Sequence, residues 1–276
     1  METEIEDISR QFKSHLEKKG LSDPYCYSLS NDYKYMVKRT GSIFPDKDKM
    51  EELYSAMIKR KLSPARLGNI IKMFKHYCAW AGKELPDVKA PRDTGRRIVF
   101  LTEMEATMML HKCINYRDYA ILCMLLYGGL RRSEVVNLKL HDLDLENRII
   151  TVRTTKTHIE AESIISKKVV LALKDWLKRR PEVAHDYVFT SRNGGKIGPD
   201  RITRFVKEYA NKAGVKKNVT AHVLRHTLAT NLLVNGADIS FVQKQLRHRN
   251  IQSTLVYLHI TTEKQKEMYD RFCPEF

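Results

Sequence analysis

The chain of 276 residues is 42% apolar, which is too long for one typical domain and rich enough in core formers for two. Its 49 Lys and Arg outweigh 33 Asp and Glu by a net charge of +16, which points to a polyanionic partner, nucleic acid or an anionic membrane surface. No apolar run reaches eighteen residues and the opening METEIEDISR is acidic and polar, so a membrane span and a secretory signal are excluded as readings and a soluble, cytoplasmic protein is expected.

From Ile5 to about Gly82 the apolar spacing is helical, interrupted at Gly20 to Pro24, at Gly41 to Asp48 and at Leu62-Ser63-Pro64. The clearest helix takes Ser63 as N-cap and Pro64 as its first residue. It places Leu67, Ile70, Ile71, Phe74, Tyr77 and Cys78 on one face and leaves Arg66, Lys72 and Lys75 outside. Between Lys83 and Arg97 the periodicity stops, prolines and glycine appear, and Lys83, Lys89, Arg92, Arg96 and Arg97 make the stretch basic. These breaks predict a helical domain over 1–85, a basic linker over 86–98 and a second domain over 99–276. Residues 1–90 hold 17 of the Lys and Arg against 13 of the Asp and Glu, so most of the positive field belongs to the second domain.

That domain opens with Thr102 and Glu105 at capping-box spacing, followed by a helical stretch to about Leu130. Two β-branched runs, Arg148 to Val152 and Ser163 to Val170, flank the polar Thr154 to Glu162 and predict a β-hairpin with a long loop. Helices dominate again from Leu171, divided at Pro181, Gly194-Gly195, Gly198-Pro199, Gly214 and Gly236. The fold class is therefore mainly α with a small β-sheet. The five cysteines, Cys26, Cys78, Cys113, Cys123 and Cys273, are odd in number and scattered, which suits buried thiols better than disulfides or a CxxC metal site.

Three polar clusters interrupt apolar surroundings: Gly129-Leu130-Arg131-Arg132-Ser133-Glu134, His222-Val223-Leu224-Arg225-His226-Thr227, and Leu246-Arg247-His248 with Tyr257 nine positions on. The spacing of three between His222 and Arg225 puts imidazole and guanidinium on one helix face, where both reach a single anion. A guanidinium fork matches phosphate oxygens in geometry and charge. Glu134 and Asp142 have no acidic partner at metal-site spacing and support the fold, and no GxxxxGK[ST] loop is present, so neither metal nor ATP is expected as a cofactor.

In order and spacing these clusters resemble the signature boxes of the tyrosine recombinases, the phage-type integrases, and most of all their Xer-like and archaeal branch. The family pattern is roughly T-G-L-R-x-S-E, then H-x-L-R-H-T, then L-G-H with a following T-x-x-Y-x-H, and Thr254, Tyr257 and His259 fall in step with the last. Residues 69–77 are similar to the DNA-facing helix of the family's core-binding domain, so the likeness spans nearly the whole chain. It implies a helical, SAM-like core-binding domain followed by a mixed α+β catalytic domain. It also implies site-specific recombination by DNA cleavage and rejoining without metal or cofactor, with Tyr257 as nucleophile. Arg131 and Arg225 would hold the scissile phosphate, while His222 and His248 would donate hydrogen bonds and move protons. Lys156, in the hairpin turn, would protonate the leaving 5′ oxygen, with Lys167 or Lys168 as substitutes. The implied partners are a double-stranded DNA site and three further copies of the chain, a homo-tetramer on DNA and a monomer or dimer without it, each copy gripping DNA with both domains.

Arg66, Lys72, Arg96, Arg97, Arg132 and Arg247 are the candidate DNA contacts. Two positions depart from the pattern: Arg247 replaces the glycine usual before the second histidine, and Tyr127-Gly128-Gly129 replaces threonine-glycine ahead of Arg131. The first bears on the geometry of the local turn and adds a candidate phosphate contact. Two other functions share these features, a DNA-binding protein that does not cut and a topoisomerase that nicks and reseals one duplex.

Overall fold

A computed structural model describes residues 2–90, 98–153, 160–248, 250–255 and 257. The chain divides into two compact units, residues 1–96 and 97–276.

The first unit is four helices, α1 (Glu2–Lys18), α2 (Asp23–Thr40), α3 (Lys47–Lys59) and α4 (Pro64–Ala81). Ser63 caps α4 as its sequence position foretells: its hydroxyl accepts from the Arg66 amide at 3.3 Å. Gly82, at φ 63°, ends the helix in the left-handed conformation that glycine adopts without strain. Leu67, Ile70, Phe74, Tyr77 and Cys78 are buried as expected, together with Met73, while Ile71 is only partly covered. Aromatic rings fill the centre, with Tyr33 set against Phe12, Tyr77 and Trp80.

The second unit begins with α5 (Glu103–His111), whose capping box is formed: Thr102 accepts from the Glu105 amide at 3.2 Å and the Glu105 carboxylate accepts from the Thr102 amide at 2.7 Å. The helix expected to run to Leu130 is instead broken. Asn115 restarts the chain as N-cap of α6 (Tyr116–Tyr127), accepting from the Asp118 amide at 3.0 Å. Next come α7 (Arg132–Asn137), a 3₁₀ turn (Leu140–Asp142) and an antiparallel sheet of β1 (Leu143–Asp144), β2 (Ile149–Arg153) and β3 (Glu160–Ile164) in that order. The second strand ends earlier than its β-branched residues suggest. Ser166 accepts from the Val169 amide at 3.4 Å and starts α8 (Lys167–Leu177), so Val169 and Val170 are helical. The helices α9 (Pro199–Lys212), α10 (Ala221–Val234), α11 (Ile239–Leu246) and α12 (Gln252–Leu255) follow among the described residues.

The main core is built around α6, whose residues from Ala120 to Leu126 are all buried among α5, α7, α8, α9 and α10. A smaller cluster of Ala229, Val242, Leu246 and Tyr257 joins α10 to α11. Among the described residues no helix is long and apolar enough to cross a membrane.

Candidate active site

Four pieces of backbone converge on the site: the α6–α7 turn, the first turns of α10, the end of α11 and the residues around α12. Thr220 caps α10, accepting from the Val223 amide at 3.3 Å, and this cap fixes the directions of His222, Arg225 and His226. Gly129, at φ 63°, turns the chain from α6 into α7 and aims its carbonyl at Arg225. A Cβ there would lie 2.8 Å from the Leu228 Cδ2 and 2.9 Å from the Leu246 Cδ2, so any other residue would push both side-chain ends aside in addition to straining the left-handed turn.

Arg225 is 4% exposed and donates to the carbonyls of Gly129 and Leu246. Burial, followed by the charges of Arg131 and Arg247, pushes its guanidinium down to about 9, which leaves it charged at neutral pH. Arg131 is more open. Its amide donates to one oxygen of the buried Glu134 at 2.7 Å and its Nη1 to the other at 2.7 Å. Burial works to raise the Glu134 pKa, but Arg247 and then the Arg131 contacts outweigh it and hold the carboxyl below its usual range.

Arg247 ends α11 in the left-handed conformation, φ 55° and ψ 44°, which accounts for the glycine usual at this point of the pattern. Its guanidinium faces inward. One Nη donates to Glu134 at 2.8 Å and to the Gly129 carbonyl at 3.3 Å, and the other to the Gln245 carbonyl at 2.9 Å. The expected surface contact with phosphate is therefore not where the structure puts this side chain.

The imidazoles surround the arginines. His248 pairs through Nδ1 with the Thr254 hydroxyl at 2.8 Å, and its carbonyl accepts from Gln243 at 3.1 Å. Burial, then Arg225 and Arg131, brings its pKa down to about 4. His222, at the outer edge, is lowered by desolvation and by Arg225, Arg131 and Arg132. His226 lies between His222 and Tyr257, with ring centroids 6.4 Å and 5.5 Å away. Its Nδ1 is 2.6 Å from the Tyr257 hydroxyl, which is itself 2% exposed. Burial raises the Tyr257 pKa and Arg225 works against it.

Arg131, His222, Arg225, His248 and Tyr257 are thus brought into one electrostatic neighbourhood, since Arg225 acts on His222, His248 and Tyr257 and stands beside Arg131. Lys156, Arg96, Arg97 and His259 lie outside the described residues. Lys167 is exposed at the start of α8, whereas Lys168 is engaged, 3.2 Å from the Tyr127 hydroxyl and 4.9 Å from the centre of its ring. Arg132 donates to the Thr203 hydroxyl, 2.5 Å away, and its charge still acts on His222. In the first unit Lys72 is exposed, and Arg66 is tied to the buried Asp32 and stacked on Tyr35. Two contributors lay in the sequence boxes without an assigned task there: His226, beside Arg225, and Thr254, in step with Tyr257. Gln245 had no signal; its side chain joins α11 to β3 by donating to the Ile164 carbonyl at 2.8 Å. Among the described residues no group of three or more His, Cys, Asp or Glu side chains is placed to hold a metal ion.

A fold of this kind, with arginines, histidines and a tyrosine gathered in one electrostatic neighbourhood, defines a class of enzymes that break and rejoin DNA. The phage integrase family profile matches residues 99–264. The chain is 31% identical over 274 residues to tyrosine recombinase XerA of Pyrococcus horikoshii, covering 96% of this chain and 93% of that protein. It is 30% identical over 281 residues to tyrosine recombinase XerD of Listeria innocua, covering 93% and 94%. Among solved structures, that of XerA recombinase is 28% identical, with a TM-score of 0.61 and coverage of 99% and 100%. The Tn1549 transposon integrase in complex with transposon right end DNA has the same fold, with a TM-score of 0.75 at 21% identity and coverage of 97% and 99%. The chain belongs to the phage integrase family, the tyrosine recombinases.

Proposed function

We propose that the chain is a site-specific DNA recombinase that cleaves and rejoins strands through a 3′-phosphotyrosine formed by Tyr257. The observation that carries this reading is the convergence of Arg131, Arg225, His222 and His248 around a tyrosine whose hydroxyl is already on an imidazole. Two guanidiniums aimed at non-bridging phosphate oxygens neutralise the charge that grows as the phenolate attacks. They provide the electrostatic part of catalysis from the protein's own side chains. The phenol proton must leave for attack at neutral pH, and His226, 2.6 Å away, is the acceptor within reach. On the other side of the phosphorus the departing 5′ oxygen needs a proton, the part given to Lys156, with His222 and His248 as hydrogen-bond donors. The freed 5′ hydroxyl then attacks the phosphotyrosine of the exchanged strand, so each bond broken is matched by one formed.

The net charge of +16 supports a double-stranded DNA partner, with the helical unit over 1–85 and the catalytic unit over 99–276 gripping it on either side of the 86–98 linker. Exchange between two duplexes takes four cleavages, hence four protomers on DNA. Wild type and Tyr257→Phe are to be incubated with supercoiled plasmid carrying a candidate site. A protein–DNA species that survives detergent is expected from wild type alone. No adduct from wild type, or an adduct from the variant, sinks the assignment.

A further inference from the structure

Arg247 keeps a backbone conformation that favours glycine, φ 55°, while carrying a long charged side chain that is 7% exposed. A residue held there against its backbone preference needs contacts that compensate. Its Nη1 is held by the Gln245 carbonyl of its own helix end, and the contacts of its Nη2 lead back to the other arginines. Its Nη2 takes Oε2 of Glu134, the carboxylate whose Oε1 accepts from Arg131. The same nitrogen reaches the Gly129 carbonyl, which also accepts from Arg225. Its own carbonyl lies 3.5 Å from Arg131 Nη2, and the preceding carbonyl, Leu246, accepts from Arg225.

The arrangement divides the carboxylate. With Oε2 occupied by Arg247 and the Arg131 amide, the Arg131 side chain has only Oε1 and cannot close a two-pronged fork on Glu134. Its Nη2 makes a long contact, 3.5 Å, to the Arg247 carbonyl, which an anion can replace. A single buried carboxylate also faces three guanidiniums, so the cluster holds a surplus of positive charge for a phosphate.

We propose that Arg247 is a positioning residue for strand cleavage, which sets the spacing and tilt of Arg131 and Arg225 by sharing Glu134 with the first and the Gly129 carbonyl with the second. The inference rests on the reading that Arg131 and Arg225 hold the scissile phosphate. It gives the chain's departure from the family glycine a task in this site.

The test measures covalent adduct formation in single turnover at saturating DNA, and DNA affinity separately, for Arg247→Gly, Arg247→Lys, Glu134→Gln and the Arg247→Gly/Glu134→Gln pair. Arg247→Gly relieves the backbone and is expected to slow cleavage about tenfold with affinity within about twofold of wild type, as a misplaced catalytic group does. The pair should be slower than Glu134→Gln alone by less than the full Arg247→Gly factor, because one of the two Arg247 contacts runs through that carboxylate and the other through the Gly129 carbonyl. A wild-type cleavage rate in Arg247→Gly overturns the inference. So does a loss confined to affinity, which marks a phosphate contact, or losses that multiply in the pair. Should Arg247→Gly fail to fold, Arg247→Lys decides: it keeps the charge but not the fork, and cleavage at the wild-type rate overturns the proposal. Absence of an adduct from wild type itself is a different result, which removes the recombinase reading and this inference with it.

Discussion

The Tyr257 hydroxyl and Nδ1 of His226 are 2.6 Å apart, on side chains that α10 and the residues after α12 bring together across 31 positions of sequence. Burial lifts the phenol pKa and lowers that of the imidazole, so near neutral pH both are uncharged and the contact is a hydrogen bond and not an ion pair. The phenol also packs against Ala229, Val242 and Leu246. The phenol proposed as the nucleophile is thus held protonated until something displaces it or takes its proton.

Removing the imidazole should therefore destabilise the protein through the stranded hydroxyl. His226→Ala is expected to lose on the order of 1–3 kcal/mol, the penalty for a buried polar group without a partner, in addition to the packing of the ring. Tyr257→Phe should lose less, and the double variant should show a coupling of about 1 kcal/mol in denaturant unfolding. Strict additivity of the two single changes would mean that the contact contributes nothing.

Gly129→Ala tests the turn that carries the arginines. The added methyl would sit 2.8 Å from Leu228 and 2.9 Å from Leu246, at a backbone φ of 63° that alanine disfavours. The carbonyl that receives Arg225 and Arg247 would shift with it. Loss of cleavage and a stability decrease of roughly 2 kcal/mol or more are expected from strain and overpacking together. Retention of full cleavage by a folded Gly129→Ala would show that this carbonyl does not set the arginine geometry.

Much of this was legible before any coordinates, because caps and breakers act locally. Ser63, Thr102 and Gly82 do in space what their sequence positions state. What sequence spacing misplaced were competitions between local signals. Val169 and Val170 look like strand residues, yet Ser166 caps a helix ahead of them; the run through Cys113 looks like one helix, yet Asn115 restarts it. The arginines and histidines of the site were visible as a pattern. Their mutual wiring was not, since the Glu134–Arg247 bond joins positions 113 apart and depends on a left-handed residue that no periodicity reveals.

The two candidate DNA contacts on α4 should separate by experiment. Lys72 is exposed, so Lys72→Ala is expected to weaken DNA binding at every sequence and reduce the salt dependence of log K by about one counterion, with stability unchanged. Arg66 is tied to Asp32, which is 5% exposed. Arg66→Ala removes the partner of that carboxylate, and because the Arg66 side chain is itself 36% exposed the loss should stay at about 1 kcal/mol. If Arg66→Ala unfolds at the wild-type midpoint, the ion pair is not structural.

Acid should weaken the fold through the site histidines. His248 sits near 4 when folded against an ordinary value of 6.5, and His222 and His226 shift in the same direction. Above about 6.5 both folded and unfolded forms are neutral and the stabilising contribution is complete. As pH falls toward 4 the unfolded chain binds protons that the folded chain refuses, so stability is lost across that window and levels off below it. Melting curves between pH 7.5 and 4.5 should therefore fall more steeply for wild type than for His248→Gln. Parallel slopes would remove His248 from the account.

The same shifts predict proton uptake when DNA binds. His248 is held neutral partly by Arg225, Arg131 and Arg247, and His222 by Arg225, Arg131 and Arg132. A phosphate placed among these guanidiniums cancels part of their field and adds a negative charge beside both rings, which raises both pKa values toward or above the ordinary one. At pH 6 the DNA complex should then bind a fraction of a proton that the free protein does not, and by pH 8 the uptake should vanish because the rings are neutral in both states. Calorimetric titration of DNA into the protein at pH 6, in two buffers of different ionisation enthalpy, measures the number directly. Uptake that persists in Tyr257→Phe but shrinks in His248→Gln assigns it to phosphate binding ahead of cleavage. Zero exchange or proton release at pH 6 would mean that the phosphate does not enter the arginine cluster.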